Sequence, residues 1–123
     1  MNWKRTLVND IQAKILPVLA NGGNFPGMTK TIFVEVQFET ILDGIQGFCM
    51  QNSKCDYTIV LNRNMSKEDI IVNMCHELVH VAQANTGMKF DFSLPYFDQP
   101  HEVEAYAMQE MLADRYKELI NDQ

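Results

Sequence analysis

The sequence predicts an α+β fold in which three helices are combined with a small sheet. Hydrophobic residues recur every three to four positions in three segments, whereas between the first and second of these they alternate with polar residues. A spacing of three to four residues is typical of an amphipathic helix, and alternation is typical of a half-buried strand. A chain of 123 residues is long enough for one domain with a real core. We therefore expect a single domain, residues 1–123.

The composition is that of a folded, acidic protein: 46% of the residues are apolar, 21% are charged, and the net charge is −6. An acidic surface disfavours direct binding to nucleic acid or to anionic membranes. Three cysteines, without a Cys-x-x-Cys pair, indicate free thiols in a reducing compartment. Asp10 and Lys14 interrupt the N-terminal apolar segment, so it is not predicted to be an export signal. We expect a cytoplasmic protein with no nucleic-acid or membrane partner, and the oligomeric state stays open.

The helices are predicted from their spacing and their end signals. Residues 3–20 form the first helix. Ser66 begins the second helix as a capping residue, and Gly87 is placed to end it. Pro100 suits the first turn of a third helix that continues to about Ile120. An aromatic loop separates the last two helices.

The sheet is predicted from alternation and turn chemistry. Residues 31–39 place apolar side chains on one face and polar side chains on the other. Asp43-Gly44 is a hairpin-turn signal, and residues 45–50 and 57–61 follow as further strands. We therefore expect a small, mostly antiparallel sheet.

The segment HELVH, residues 76–80, has the pattern H-E-x-x-H. His76 and His80 lie one helical turn apart on one face, so both rings can reach one zinc ion at about 2.0–2.1 Å. Glu77 lies about 100° around the helix, where it can reach a water beside the ion. The motif predicts a zinc site with His76 and His80 as ligands and Glu77 as catalytic base and acid. Asn73 and Gln83 extend the same polar face.

A catalytic zinc needs a third protein ligand, and the last helix offers three candidates. His101 and Glu104 share a face, and Glu104 stands beside the small Ala105. Glu102 occupies the third position after Gln99, where a carboxylate can cap backbone donors near the positive helix end. We expect Glu104 to be the ligand, with His101 as the second choice and Glu102 as the third.

Two segments, HELVHVAQ (76–83) and PHEVEAYAMQ (100–109), make the sequence resemble the single-domain zincin metallopeptidases, particularly the small gluzincin-like proteins of the ImmA/IrrE type. The resemblance implies a zincin-like fold, a zinc cofactor and a protein or peptide substrate. In that type the third ligand is a glutamate in a setting resembling Glu-Ala-Asn, which here reads Glu104-Ala105-Tyr106. SprT-like proteins are the second comparison. Their third histidine would be His101 here, and the cysteine zinc ribbon that many of them carry is absent from this sequence.

The sequence also contains candidates for groups that assist catalysis or orient the metal ligands. Zincins commonly direct a tyrosine or histidine donor at the oxyanion formed in peptide hydrolysis. Tyr96, Tyr106 and His101 are the candidates, and we favour Tyr96. Carboxylates that orient the metal-binding histidines are expected as well, and Asp98 and Asp114 are available.

Three functions are compatible with these features. The first is a metallopeptidase that hydrolyses a peptide bond through zinc-activated water, with Glu77 as general base. The second is a catalytically inactive binding module of the same fold whose zinc holds the helices together. The third is a metal-free binding protein that uses the aromatic residues 90–97 as a contact surface. Glu77 favours the first, because a purely structural zinc site needs no base.

Overall fold

The computed structural model describes residues 2–42 and 44–121. This part of the chain forms three α-helices and one three-stranded sheet, which confirms the predicted α+β class. None of the helices within it has the length and apolar character needed to cross a membrane. The elements in chain order are α1 (Trp3–Asn21), β1 (Phe33–Glu39), β2 (Gly47–Ser53), β3 (Asp56–Asn62), α2 (Lys67–Asn85), a short 3-10 helix (Tyr96–Asp98) and α3 (Pro100–Asn121).

Helix α2 begins and ends close to its predicted capping residues. The Ser66 side chain accepts a hydrogen bond of 3.2 Å from the Asp69 backbone N–H, which satisfies a donor that the first turn leaves unpaired. At the other end, the Thr86 N–H donates to the Ala82 carbonyl over 3.1 Å. Gly87 follows with a φ of +87°, a conformation that glycine adopts without strain. These caps fix the ends of the helix that carries both histidines of the motif.

The sheet is mixed, and this corrects the expectation of a mostly antiparallel one. Its strand order is β1–β3–β2, with β2 and β3 antiparallel and β1 and β3 parallel. The chain between β1 and β2 therefore passes from one edge of β3 to the other and does not form a hairpin. Of the predicted turn pair, Asp43 lies outside the described residues and Gly44 has a φ of +74°. The tight turn lies instead at Lys54 and Cys55, between β2 and β3.

Helix α2 occupies the centre of the molecule. It packs against α1, α3 and the strands β2 and β3. Strand β3 is the central strand, and its residues from Tyr57 to Leu61 are all buried. Because neighbouring elements cover α2 on several sides, the polar side chains of its H-E-x-x-H motif lie inside a packed environment.

One face of α3 packs against α2. Ala105, Leu112 and Tyr116 are buried at helical spacing along this face. Glu102 lies on the same stripe, one turn before Ala105. At the far end of the stripe, the Tyr116 hydroxyl donates a hydrogen bond of 2.6 Å to Asp10 of α1. The packing of α3 therefore turns a carboxylate toward the centre of the molecule.

Candidate metal centre

The two histidines of α2 meet Glu102 of α3 inside the protein. Nε2 of His76 lies 2.9 Å, and Nε2 of His80 lies 3.0 Å, from the same carboxylate oxygen, Oε1 of Glu102. The three residues are 4%, 6% and 8% exposed, respectively. One ligand atom from each lies within 4.8 Å of the others. This buried group can bind a metal ion.

The donor set and its spacing fit a catalytic zinc site. Two imidazole nitrogens and one carboxylate oxygen are a ligand set that catalytic zinc uses. Donors at 2.0–2.1 Å from one ion in tetrahedral geometry lie about 3.3 Å apart. The nitrogen–oxygen distances of 2.9 and 3.0 Å are close to this value. Other divalent ions also bind to nitrogen and oxygen ligands of this kind. The arrangement therefore indicates a metal site without identifying the metal.

Gln83 determines which nitrogen of His80 faces the centre of the site. The Gln83 Nε2 group donates to the His101 carbonyl and to Oε1 of Glu104, each over 2.9 Å. Its own Oε1 is therefore left as an acceptor, and it lies 2.8 Å from Nδ1 of His80. Nδ1 consequently carries the proton, and the neutral ring presents the lone pair of Nε2.

His76 has the same arrangement on the other side of the site. Its Nδ1 lies 2.8 Å from Oε1 of Gln109, an amide of α3. With the proton on Nδ1, the Nε2 lone pairs of both neutral histidines point at the Glu102 carboxylate. An acceptor that faces another acceptor needs a cation or a proton between them. The hydrogen bonds around the site thus favour a bound cation at the point where the three residues meet.

The charges at the site favour a cation as well. Burial raises the pKa of Glu102, but its interactions with His76 and His80 lower it by more, so the net pKa lies well below the usual range and the carboxylate is charged. Burial lowers the pKa of His80, but the interaction with Glu102 and the Glu77 charge raise it above its ordinary value, so a proton on Nε2 is the alternative to a metal ion at this point.

Glu77 lies beside this group with an unpartnered oxygen. Its side chain is 4% exposed, and within the described part of the chain its Oε1 has no hydrogen-bond partner. Burial raises its pKa to about 7, although the charges of His80 and His76 act in the opposite direction. A carboxyl group with such a pKa exchanges protons readily near neutral pH. It lines the same cavity as the histidines.

Glu102, and not the expected Glu104, is the carboxylate that lies against the two histidines in the structure. The reason is the orientation of α3, which turns Ala105 and the residues on its stripe toward α2. Glu104 lies about 200° around the helix from Glu102, and its carboxylate contacts Gln83 instead. The carboxylate predicted to cap the start of α3 is the one that meets the two histidines.

The other predicted residues lie around the site. His101 is buried, and its Nε2 lies 3.8 Å from Oε2 of Glu102. The Tyr106 ring lies 4.5 Å from the His76 ring. The Tyr96 hydroxyl lies 3.1 Å from the Tyr106 hydroxyl. All three residues line the same cavity.

The groups that orient the histidines are amides and not the expected carboxylates. Asp98 and Asp114 are exposed, and neither makes a hydrogen bond to a histidine in the parts of the chain that the structure describes. The sequence indicates Gln83 only as part of the polar face of α2, and it does not single out Gln109. The position of Gln109, two helical turns after Glu102 on the same face of α3, is the feature that could have indicated it.

The metal-binding group opens into a cavity of about 550 Å³. One side is formed by residues 44–49, at the beginning of β2, and another by the middle of α2. The aromatic segment before α3 and the first turns of α3 complete it. A ligand in this cavity would therefore lie directly against the two histidines.

Comparisons of the chain with protein-family models, with curated proteins and with solved structures find no match. The fold and the site define an α+β protein with a buried His–His–Glu group that can bind a metal ion.

Proposed function

We propose that this protein is a zinc metallopeptidase of zincin-like fold that holds zinc through His76, His80 and Glu102. The observation that supports the proposal is the convergence of two Nε2 atoms on one carboxylate oxygen, at 2.9 and 3.0 Å. The H-E-x-x-H motif supplies both nitrogens and places Glu77 beside them. A hydrolytic site uses such a carboxyl group, whereas a structural zinc site does not require one.

Glu77 carries out the proton transfers of the proposed reaction. Bound zinc supplies Lewis-acid chemistry that makes water a nucleophile near neutral pH. Oε1 of Glu77, which has no partner among the described residues, accepts a proton from the attacking water. The protonated carboxyl group then returns this proton to the leaving amine nitrogen.

The paired tyrosine hydroxyls provide an oxyanion donor in this proposal. The hydroxyls of Tyr96 and Tyr106 lie 3.1 Å apart, so one donates to the other and the second O–H group can donate elsewhere. We assign the donor role to Tyr96, which the sequence favoured, and the supporting role to Tyr106. A donor held in place before the reaction stabilises the negative charge that develops on the carbonyl oxygen.

Metal analysis of matched variants tests the proposal. We expect about one zinc per native chain by mass spectrometry, retained in Glu104→Ala and lost in Glu102→Ala. Glu77→Gln should keep the zinc and lose peptide cleavage. A native chain that binds no zinc after reconstitution would refute the proposal, and so would retention of cleavage in Glu77→Gln.

A zinc-stabilised binding module is the second candidate, because the metal-binding group joins α2 to α3. A metal at this position would hold the two helices together whether or not the protein is an enzyme. This candidate predicts that chelation lowers thermal stability, while Glu77→Gln changes neither stability nor partner binding.

A further inference from the structure

Aromatic side chains cover the cavity on the His80 side of the metal-binding group. The Phe90 ring lies 5.8 Å from the His80 ring and is stacked on the His101 ring at 4.2 Å. Phe92 extends this wall outward, with its ring 6.2 Å from Phe90, and it is 72% exposed. Phe92 therefore ends this wall as an exposed aromatic ring.

A second aromatic wall lies on the His76 side. It begins with Tyr106, whose ring is 4.5 Å from the His76 ring. The Phe97 ring lies 5.7 Å from Tyr106 and 5.0 Å from Tyr96. Phe97 is 73% exposed, so this wall, like the first, ends in an exposed aromatic ring. Exposed apolar surface concentrated around a cavity is typical of a ligand-binding site.

The cavity provides little to pair with a charged side chain. Among its described lining residues, none is a lysine or an arginine, and the carboxylates are those of Glu77 and Glu102. A divalent cation between the histidines would balance the charges of both glutamates. A charged side chain that entered the cavity would lose its hydration without gaining a partner.

We propose that the cavity binds an extended polypeptide with a large apolar side chain on each side of the bond to be cleaved. This inference rests on the proposed peptidase function. The two walls flank the histidine pair, so residues on the two sides of a bond placed at the metal would meet different walls. Covering Phe92 and Phe97 with apolar side chains removes exposed aromatic surface from water, which favours binding.

Peptide binding to the Glu77→Gln chain tests this preference without cleavage. The probes are blocked hexapeptides with identical uncharged flanking residues and a central pair of Phe-Phe, Ser-Ser or Asp-Asp, and calorimetry gives their Kd. We expect Phe-Phe to bind at least about tenfold more tightly than Ser-Ser. The Asp-Asp peptide should bind no more tightly than Ser-Ser. Equal Kd values for the three peptides would overturn the inference.

Three phenylalanines of similar exposure provide matched variants. Phe92→Ser and Phe97→Ser should each remove about threefold of the Phe-Phe advantage, roughly half of a tenfold gain on a free-energy scale. Phe33 of β1 is 67% exposed and is not among the lining residues of the cavity, so Phe33→Ser should change nothing. An equal loss in Phe33→Ser would overturn the assignment of the two walls. A native dimer that Phe92→Ser and Phe97→Ser convert to monomers would assign the surface to a second copy of the chain instead.

Cleavage of the same peptides by the zinc-loaded native chain separates the two proposals. Cleavage of Phe-Phe in preference to Ser-Ser, followed by mass spectrometry, supports both. Tight binding of Phe-Phe without cleavage would refute the peptidase and leave the apolar preference in place. Equal cleavage of both peptides would leave the peptidase in place and refute the preference.

Discussion

At the scale of single residues, the amide of Gln83 holds the ring of His80, a proposed metal ligand, through a hydrogen bond of 2.8 Å. Gln83→Leu removes the acceptor for the His80 Nδ1 proton, so the ring can rotate or adopt the other tautomer. We expect the zinc affinity to fall about 10- to 100-fold, measured by competition with a chromogenic chelator. Gln37→Leu, on β1, is the control and should leave the affinity unchanged. An unchanged affinity in Gln83→Leu would show that the amide does not position the ligand.

Tyr96 provides a second residue-scale prediction. Removing its hydroxyl in Tyr96→Phe should leave the zinc content unchanged and lower kcat by about 100-fold, because one oxyanion donor is lost. Tyr106→Phe should have a smaller effect, since that hydroxyl acts through Tyr96. Steady-state kinetics on a cleaved peptide measures both. A decrease of less than about tenfold in Tyr96→Phe would argue against the donor role.

The sequence predicted the parts of the site that lie within one helix. His76, Glu77 and His80 have relative positions that helical geometry determines, so their grouping could be predicted without a tertiary structure. Glu102 belongs to another helix, and its role depends on which face α3 turns toward α2. The buried stripe through Ala105 contains that information, but in the sequence alone the small size of Ala105 is equally compatible with a role for its neighbour Glu104.

At the scale of elements, the first turn of α2 depends on Ser66. Ser66→Ala leaves the Asp69 backbone N–H without its hydrogen bond. We expect a loss of about 1 kcal/mol in the free energy of unfolding, measured by urea denaturation. Ser53→Ala, at the exposed end of β2, should change the stability by less than about 0.5 kcal/mol. Equal effects of the two substitutions would contradict the capping role.

The contact between α1 and α3 predicts a dependence on pH. Burial raises the pKa of Asp10, but hydrogen bonds from Lys14 and Tyr116 lower it, and the net pKa lies below its ordinary value. A carboxyl group with a depressed folded-state pKa stabilises the protein above its unfolded-state pKa and loses this contribution as the pH falls. Tyr116→Phe should therefore cost about 1 kcal/mol at pH 7 and less below about pH 4.

Tyr57→Phe is the matched control for this pH dependence. The Tyr57 hydroxyl donates to the Lys54 carbonyl, an acceptor that does not titrate. Its cost should consequently be the same at both pH values, as determined from denaturation curves. A cost of Tyr116→Phe that stays constant with pH would exclude the contribution of the Asp10 charge.

Helices were easier to predict than the sheet, for a physical reason. The ends of α2 follow from local chemistry at Ser66 and Gly87, which acts within one turn of the chain. The alternation of β1 is the same in parallel and antiparallel pairing, so it identifies a strand without identifying its neighbour. Asp43-Gly44 predicted a hairpin of β1 and β2, but in the tertiary structure β3 lies between these two strands.

At the scale of the whole molecule, a bound metal is expected to couple α2 and α3. A ligand that binds only the folded chain stabilises it by about 4 kcal/mol at a concentration a thousand times its Kd. We expect EDTA to lower the Tm of the zinc-loaded native protein by several degrees, as measured by calorimetry. Glu102→Ala should be insensitive to EDTA. The same decrease in Glu102→Ala would place the stabilising metal elsewhere.

The crossing connection of the sheet has a consequence for the order of folding. The hairpin of β2 and β3 joins neighbouring segments, whereas the parallel pairing of β1 joins residues as distant as Val36 and Ile59. Contacts between distant residues form more slowly, since a longer loop must first close. Residues 44–46 lie in this connection and line the cavity. The contact between α2 and α3 joins residues as distant as His76 and Gln109, 33 positions apart, so it too forms later than the β2–β3 hairpin. The cavity bounded by α2, α3 and residues 44–46 would thus be completed late in folding, after the hairpin beside it.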